Sequence, residues 1–203
     1  MMVKICGITR PQDAAAAVDQ GASAIGFIFW PGSPRFIDPY RARKIARLLP
    51  PFVSTVGVFV NQPAEYINGV SSLVPLCVVQ LHGDETPAFA TRLSRPVLKA
   101  ITRPESAAEW PKHVMLLVDV HDPVKRGGTG QVVDWTMAAS IARERQVVLA
   151  GGLTPDNVAE AVAAVRPWGI DVSSGVEQSP GIKDERRIAS LFGAIHQLRV
   201  PTL

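Results

Sequence analysis

The sequence predicts an α/β protein on a parallel sheet, either closed as an eight-stranded β/α barrel or open and doubly wound. Three observations carry this. Short apolar runs alternate with helix-period stretches along all 203 residues. Most of the strand-like runs are apolar throughout rather than alternating, as expected for parallel strands covered on both faces. Eight such units share the chain at about 25 residues each, near the lower size limit of a barrel. Periodicity by itself does not show closure, so both architectures stand at this point.

The eight strands are expected at Val3–Cys6, Ala24–Trp30, Phe52–Val60, Cys77–Leu81, Val97–Ile101, Val114–Asp119, Gln146–Ala150 and Gly169–Val172. Helices are expected between them. Pro11–Gln20 follows Thr9 and Arg10. Pro39–Leu49 follows Asp38, an N-cap with proline at the first helical position, and Pro155–Val165 follows Thr154 in the same arrangement. Asp134–Arg143 and Asp184–Leu198 complete the clear cases, and Arg103–Trp110 after the fifth strand reads as a short or degenerate helix. No linker or low-complexity tract divides the chain; Pro31–Pro34 and Asn61–Pro63 read as loops inside one domain spanning 1–203.

Composition narrows the class. With 47% hydrophobic and 19% charged residues, the chain has enough apolar material for a well-buried core. The net charge is +3 and the pI about 9.1, but the basic residues are spread out. The densest group, Arg41, Arg43, Lys44 and Arg47, reads as the solvated side of an amphipathic helix rather than a nucleic-acid face. Cys6 and Cys77 are far apart and in no CxxC spacing, which argues against a disulfide framework or zinc site and for a reducing compartment. No signal-peptide pattern and no membrane-length apolar stretch is seen, so a cytoplasmic location is expected.

Chemistry-bearing residues fall just after strand ends, at the ligand edge of either architecture. Lys4 and Cys6 share a strand face, which puts an ammonium beside a thiol. The cation favours thiolate, making Cys6 a usable base; the alternative is a small buried hydrophobe. Asp119 ends an apolar strand, as a general acid if burial raises its pKa or as a loop cap, with Asp122 as a rival. Arg126-Gly127-Gly128-Thr129-Gly130 lies in a long loop suited to a lid. Gly151 and Gly152 after the seventh strand, and Ser173, Ser174 and Gly175 after the eighth, occupy the frequent phosphate position of barrel enzymes. Gln80 and His82 share a face at the end of strand four, where His82 is a substrate contact or a hydrogen-bonded structural histidine. Arg35, on the Pro-stiffened Ser33-Pro34-Arg35-Phe36 loop, suits bidentate recognition of a carboxylate. From the residues alone, this is an enzyme for a phosphorylated, acidic small molecule.

In order along the chain, KICGIT (Lys4–Thr9), GFIFWPGSPRFI (Gly26–Ile37), VGVFVN (Val56–Asn61), QLHGDE (Gln80–Glu85), GGTG (Gly127–Gly130), AGGLTPDNV (Ala150–Val158) and DVSSGVEQSPGIKD (Asp171–Asp184) resemble the phosphoribosylanthranilate isomerase family of tryptophan biosynthesis. KICGIT and DVSSGVE form the specific pair. The resemblance implies a single (β/α)8 TIM barrel. It also implies an Amadori rearrangement of N-(5′-phosphoribosyl)anthranilate to the 1-deoxyribulose 5-phosphate, with no metal or organic cofactor. The family's base falls on Cys6, its acid on Asp119 and its substrate-gripping arginine on Arg35. Asp171 is implied to bind a sugar hydroxyl and the Gly/Ser loops the phosphate. The stretch between Asp119 and Gly127 departs from a fixed family length, and strand position favours Asp119 over Asp122.

Other phosphosugar barrels fit less well. A metal-dependent epimerase needs clustered ligands, which His82, His113, His121 and His196 do not suggest, and a synthase needs a lysine-centred system, for which Lys99 is the only loose candidate beyond Lys4. Partners are therefore expected to be a small phosphosugar, with neither nucleic acid nor membrane, on a monomer or a homodimer.

Overall fold

In the computed structural model, residues 1–119 and 134–198 are described. The expected Gly127–Gly130 lid, with Arg126, Asp122 and His121, lies outside them. Eight parallel strands follow one another round a closed barrel: β1 (Met2–Cys6), β2 (Ala24–Ile28), β3 (Ser54–Phe59), β4 (Val78–Leu81), β5 (Val97–Ile101), β6 (Met115–Val118), β7 (Val147–Leu149) and β8 (Gly169–Val172). β1 pairs with β2 on one side and with β8 on the other, so the sheet has no edge and the open alternative is excluded.

The continuous apolar strands have two cores to fill. Outward-facing residues such as Ile5, Phe27, Leu81, Leu116 and Ile170 are fully buried beneath the helices. Inward-facing Leu98, Ala100, Leu117, Val148 and Ala150 form a second cluster inside the barrel. Above that cluster the interior turns polar, because β1 and β8 are in register at Lys4 and Asp171, and β1 and β2 at Cys6 and Gly26. A Cβ on Gly26 would stand 2.9 Å from Cys6 Sγ and 3.0 Å from Lys4 Cε, so only glycine leaves room for both side chains. Gly26→Ala is expected to destabilise the fold by about 1–3 kcal/mol through overpacking. Urea unfolding should show this as a lower midpoint at unchanged m-value.

The helices are α1 (Pro11–Asp19), α2 (Pro39–Ala46), α3 (Ala64–Leu73), α4 (Pro87–Ala90), α5 (Glu105–Glu109), α6 (Trp135–Ala142), α7 (Val158–Val165) and α8 (Glu185–Gln197). Asp38 caps α2 as expected, accepting from the N–H groups of Tyr40 and Arg41, and Asp134 and Asp184 cap α6 and α8 in the same way. α5 is short, as expected. Neither the ten-residue α3 nor α4, which is shorter still than α5, is among the helices expected from sequence. Arg145 steadies the α5 region from below by donating to the carbonyls of Ala107, Trp110, Pro111 and Val114.

Two further elements differ from expectation. α7 begins at Val158 rather than Pro155, because Asn157 turns back on the preceding loop. Its side chain accepts from Thr154 N at 2.8 Å and donates to Gly152 O at 3.0 Å, which holds 154–157 as a turn instead of a first helical turn. After β8 the chain makes a single 3-10 turn (Ser174–Val176) and then an antiparallel hairpin, β9 (Glu177–Ser179) with β10 (Ile182–Lys183), where only a loop was expected. Ser179-Pro180-Gly181 between two polar-apolar segments is the signal that marks it. Among the described residues no helix is long and apolar enough to cross a membrane.

Candidate active site

One cavity opens at the C-terminal ends of the strands, and Cys6, Arg35, His82, Asp119, Gly151, Gly152, Asp171, Ser173 and Ser174 all line it. Of the residues expected at the site, Gly175 alone stands apart. It lines a neighbouring hollow with Thr154, Arg187 and Ser190. A Cβ there would fall onto the Leu153 carbonyl oxygen, so this glycine lets the loops after β7 and β8 pack together.

Going round the barrel, Asp119 follows β6, the two glycines follow β7, Asp171 and Ser173 belong to β8 and its loop, Cys6 ends β1, and Arg35 follows β2. The anion-friendly loops therefore stand between the aspartate and the cysteine. Gly151 and Gly152 have φ of 81° and 67°, a backbone that side chains resist, and Asn157 clamps the carbonyl of Gly152. Ser173 donates its hydroxyl to the Cys6 carbonyl at 3.1 Å, which ties the β8 loop to the end of β1.

Beneath Cys6, Lys4 is 0% exposed and its ammonium donates to Asp171 Oδ2 at 2.9 Å. Burial opposes the Lys4 charge, but Asp171 and Cys6 outweigh it and push its pKa up. Lys4 acts on Cys6 in the expected direction, favouring thiolate, but burial acts more strongly the other way. Burial pushes the Cys6 thiol up; Lys4 and Lys183 pull it down, and Asp171 offsets part of that pull. The other oxygen of Asp171, Oδ1, is buried with no hydrogen-bond partner among the described residues, which leaves a strong acceptor on the cavity wall. Lys4→Met is expected to cost about 3–5 kcal/mol, because it strands the Asp171 carboxylate inside the barrel. Thermal or urea unfolding would register it; a loss below 1 kcal/mol would mean that Asp171 finds water or another donor.

Across the mouth, His82 Nε2 stands 3.3 Å from Asp119 Oδ2, and Gln80 Nε2 lies 2.8 Å from His82 Nδ1. An amide nitrogen can only donate, so Nδ1 accepts and the proton of a neutral ring sits on Nε2, facing the carboxyl group. His82 thus both lines the cavity and holds Asp119, and Gln80 Oε1 is left without a partner among the described residues.

Arg35, 7% exposed, is bound by a residue not singled out from sequence. Glu177, on β9, accepts from Arg35 Nε at 2.9 and 3.1 Å and from Nη2 at 2.8 Å. Lys183 on β10 donates to the same carboxylate at 2.8 Å and to Ser173 O at 3.1 Å. Burial works against the Glu177 charge, but Arg35 and Lys183 together hold its pKa below the usual carboxylate range; burial lowers that of Lys183. Apolar Ile28, Trp30, Val58 and Val60 line the same side of the mouth, on β2, β3 and their following loops.

The cavity can therefore offer an acid and a base facing a common space, an anion loop between them, a guanidinium, and an apolar wall. A profile of the family described as N-(5′-phosphoribosyl)anthranilate (PRA) isomerase matches residues 3–194. The chain is 48% identical over 190 residues to the N-(5′-phosphoribosyl)anthranilate isomerase of Geobacter sp. (strain M21), covering 92% of this chain and 93% of that one. It is 47% identical over 202 residues to that of Hahella chejuensis, covering 96% and 93%. Among solved structures, it matches phosphoribosyl anthranilate isomerase from Thermus thermophilus with TM-score 0.89 at 42% identity, over 98% of this chain and 100% of that one. A phosphoribosyl anthranilate isomerase in complex with reduced 1-(o-carboxyphenylamino)-1-deoxyribulose 5-phosphate matches with TM-score 0.84 at 38% identity, over 97% and 99%. On sequence and fold, the chain belongs to the N-(5′-phosphoribosyl)anthranilate isomerase family, the aldose–ketose isomerases of tryptophan biosynthesis.

Proposed function

We propose that Cys6 and Asp119 are the base and acid of N-(5′-phosphoribosyl)anthranilate isomerisation in this protein. The observation that carries the reading is their meeting in one cavity, on strands separated by the two loops suited to phosphate. Gly151, Gly152, Ser173 and Ser174 hold the phosphate, with Gly175 shaping that site from behind. Arg35 takes the anthranilate carboxylate, while the apolar wall with Trp30 takes the aromatic ring. Asp171 Oδ1 accepts from a ribose hydroxyl, and His82 orients Asp119.

The steps balance within the substrate. The Asp119 carboxyl gives its proton to the furanose ring oxygen as the C1′–O bond breaks, and the nitrogen lone pair forms the iminium. Cys6 thiolate removes the C2′ proton, and the C–H electron pair forms the C1′–C2′ double bond of the enolamine while neutralising nitrogen. The enol proton leaves, C1′ gains a proton, and the aminoketone results. C1′ is reduced as C2′ is oxidised, so no external redox partner enters. The free thiols Cys6 and Cys77 suit a cytoplasmic setting. The protein acts as a monomer or a homodimer; the Thermotoga maritima relative is described as dimeric.

The test is loss of fluorescence of freshly prepared N-(5′-phosphoribosyl)anthranilate with EDTA present. Rapid loss that disappears in Cys6→Ala supports both the reaction and its base. No loss with folded protein would move the substrate to another phosphosugar.

A further inference from the structure

Glu177 is 5% exposed and its carboxylate is saturated from within the protein. Besides Arg35 and Lys183, it accepts from Gly181 N at 3.2 Å. With five contacts on two oxygens, it has no free lone-pair direction for a ligand. Its effect on any bound molecule therefore passes through its partners, directly through Arg35 at the cavity wall and more remotely through Lys183, which also holds the Ser173 carbonyl.

The geometry of that contact is specific. Glu177 occupies the Nε–Nη2 edge of the guanidinium, and Nη1 has no hydrogen-bond partner among the described residues. A guanidinium has a second edge, Nη1 with the outer N–H of Nη2, able to present two parallel donors to another carboxylate. The stem is fixed as well. A Cβ on Gly7 would lie 2.8 Å from Arg35 Cδ, so the side chain runs directly across that glycine. The hairpin carrying Glu177 is itself anchored to the loop after β1 and to α1: Thr9 Oγ1 donates to Gly181 O at 2.5 Å, and Lys183 N donates to Asp13 Oδ2 at 3.1 Å. An arginine held at stem and head does not lose its rotamer freedom again on binding, a cost that a free side chain would bear.

We propose that Glu177 is a positioning residue. It holds Arg35 with one edge turned to the ligand, and so sets the preference of the site for an aryl group that carries a carboxylate. This rests on the reading of Arg35 as the carboxylate partner given above. A hairpin staple with no part in selectivity is the competing role.

The experiment compares two ligands within each preparation by titration calorimetry. One is reduced 1-(o-carboxyphenylamino)-1-deoxyribulose 5-phosphate, and the other is its counterpart without the carboxyl group. The wild type is expected to favour the first by about 10–100-fold, as a charge-assisted hydrogen-bonded pair allows. Glu177→Gln is expected to cut that ratio at least tenfold or to near unity, with the uncarboxylated ligand bound within about threefold of wild type. In Arg35→Met the ratio is also near unity, and adding Glu177→Gln to it changes nothing further. The ratio is independent of the folded fraction, and Glu177→Asp, one methylene short, is expected to lose part of it if Glu177→Gln does not fold. A wild-type ratio in Glu177→Gln and Glu177→Asp, with the ratio lost in Arg35→Met, overturns the positioning role alone. A wild-type ratio in Arg35→Met overturns the carboxylate reading beneath it.

Discussion

Asp119→Asn is expected to lower kcat by about 10²–10⁴-fold, the usual contribution of a positioned general acid, while a product analogue still binds within a few-fold. Asparagine has the same shape, and its amide oxygen can still accept from His82 Nε2, which stands 3.3 Å from the carboxyl group in the native site. What it lacks is a proton to give to the ring oxygen. Ring opening then depends on water, and the loss falls on kcat rather than on KM. His82→Asn is the informative control. Removing one hydrogen-bond partner of the acid is expected to cost about tenfold or less, since a single such contact is worth about 0.5–1.5 kcal/mol. If Asp119→Asn turned over at close to the wild-type rate, the acid would have to lie elsewhere, and Asp122 would be the first candidate. Comparable losses in both variants would instead point to the pair, and not the carboxyl alone, as the proton donor.

The parts of this site that were legible in the sequence are those fixed by strand alternation. Lys4 and Cys6, Gln80 and His82, and Asp171 and Ser173 each lie two apart on a strand or its extension, and each pair reaches the barrel interior or its mouth together. Closure was not legible, because it depends on the pairing of β1 with β8, residues about 167 apart, and no local pattern encodes that. Glu177 and Lys183 were missed for a related reason. They read as polar residues after a phosphate-type loop, and only the hairpin folding back onto α1 and the loop after β2 brings them to Arg35. The early start assigned to α7 failed through local competition. Thr154-Pro155 is a good helix start, but the Asn157 side chain satisfies Thr154 N and Gly152 O first. At Cys6 the sign of the lysine's pull was legible, but the weight of burial against it was not. A lysine two residues away favours the thiolate, while Asp171 offsets part of that pull and burial dominates.

With Cys6 as the proposed base, that burial bears on the expected pH dependence. The proposed role needs Cys6 as thiolate, and burial raises its pKa above the ordinary thiol value. The fraction in the active form therefore grows about tenfold for each pH unit well below the pKa. In a Cys77→Ser protein, the rate of Cys6 alkylation by iodoacetamide, which follows the thiolate alone, is expected to climb with a slope near one through neutral pH and to keep climbing where an unperturbed thiol, near pKa 8.5, would already level off, whereas kcat/KM also needs the Asp119 carboxyl protonated and reports both groups together. Lys4→Met removes a cation that pulls the thiol down, so its rising limb should move to higher pH still. Cys6→Ala and Cys6→Ser are both expected to lose about 10²–10⁴-fold in kcat, the serine included, because its hydroxyl holds its proton at every accessible pH. A Cys6→Ser protein with substantial activity would contradict a thiolate base. The Lys4–Asp171 pair beneath Cys6 would then have to be tested directly, since Asp171 Oδ1 is the remaining unpartnered acceptor on that wall among the described residues.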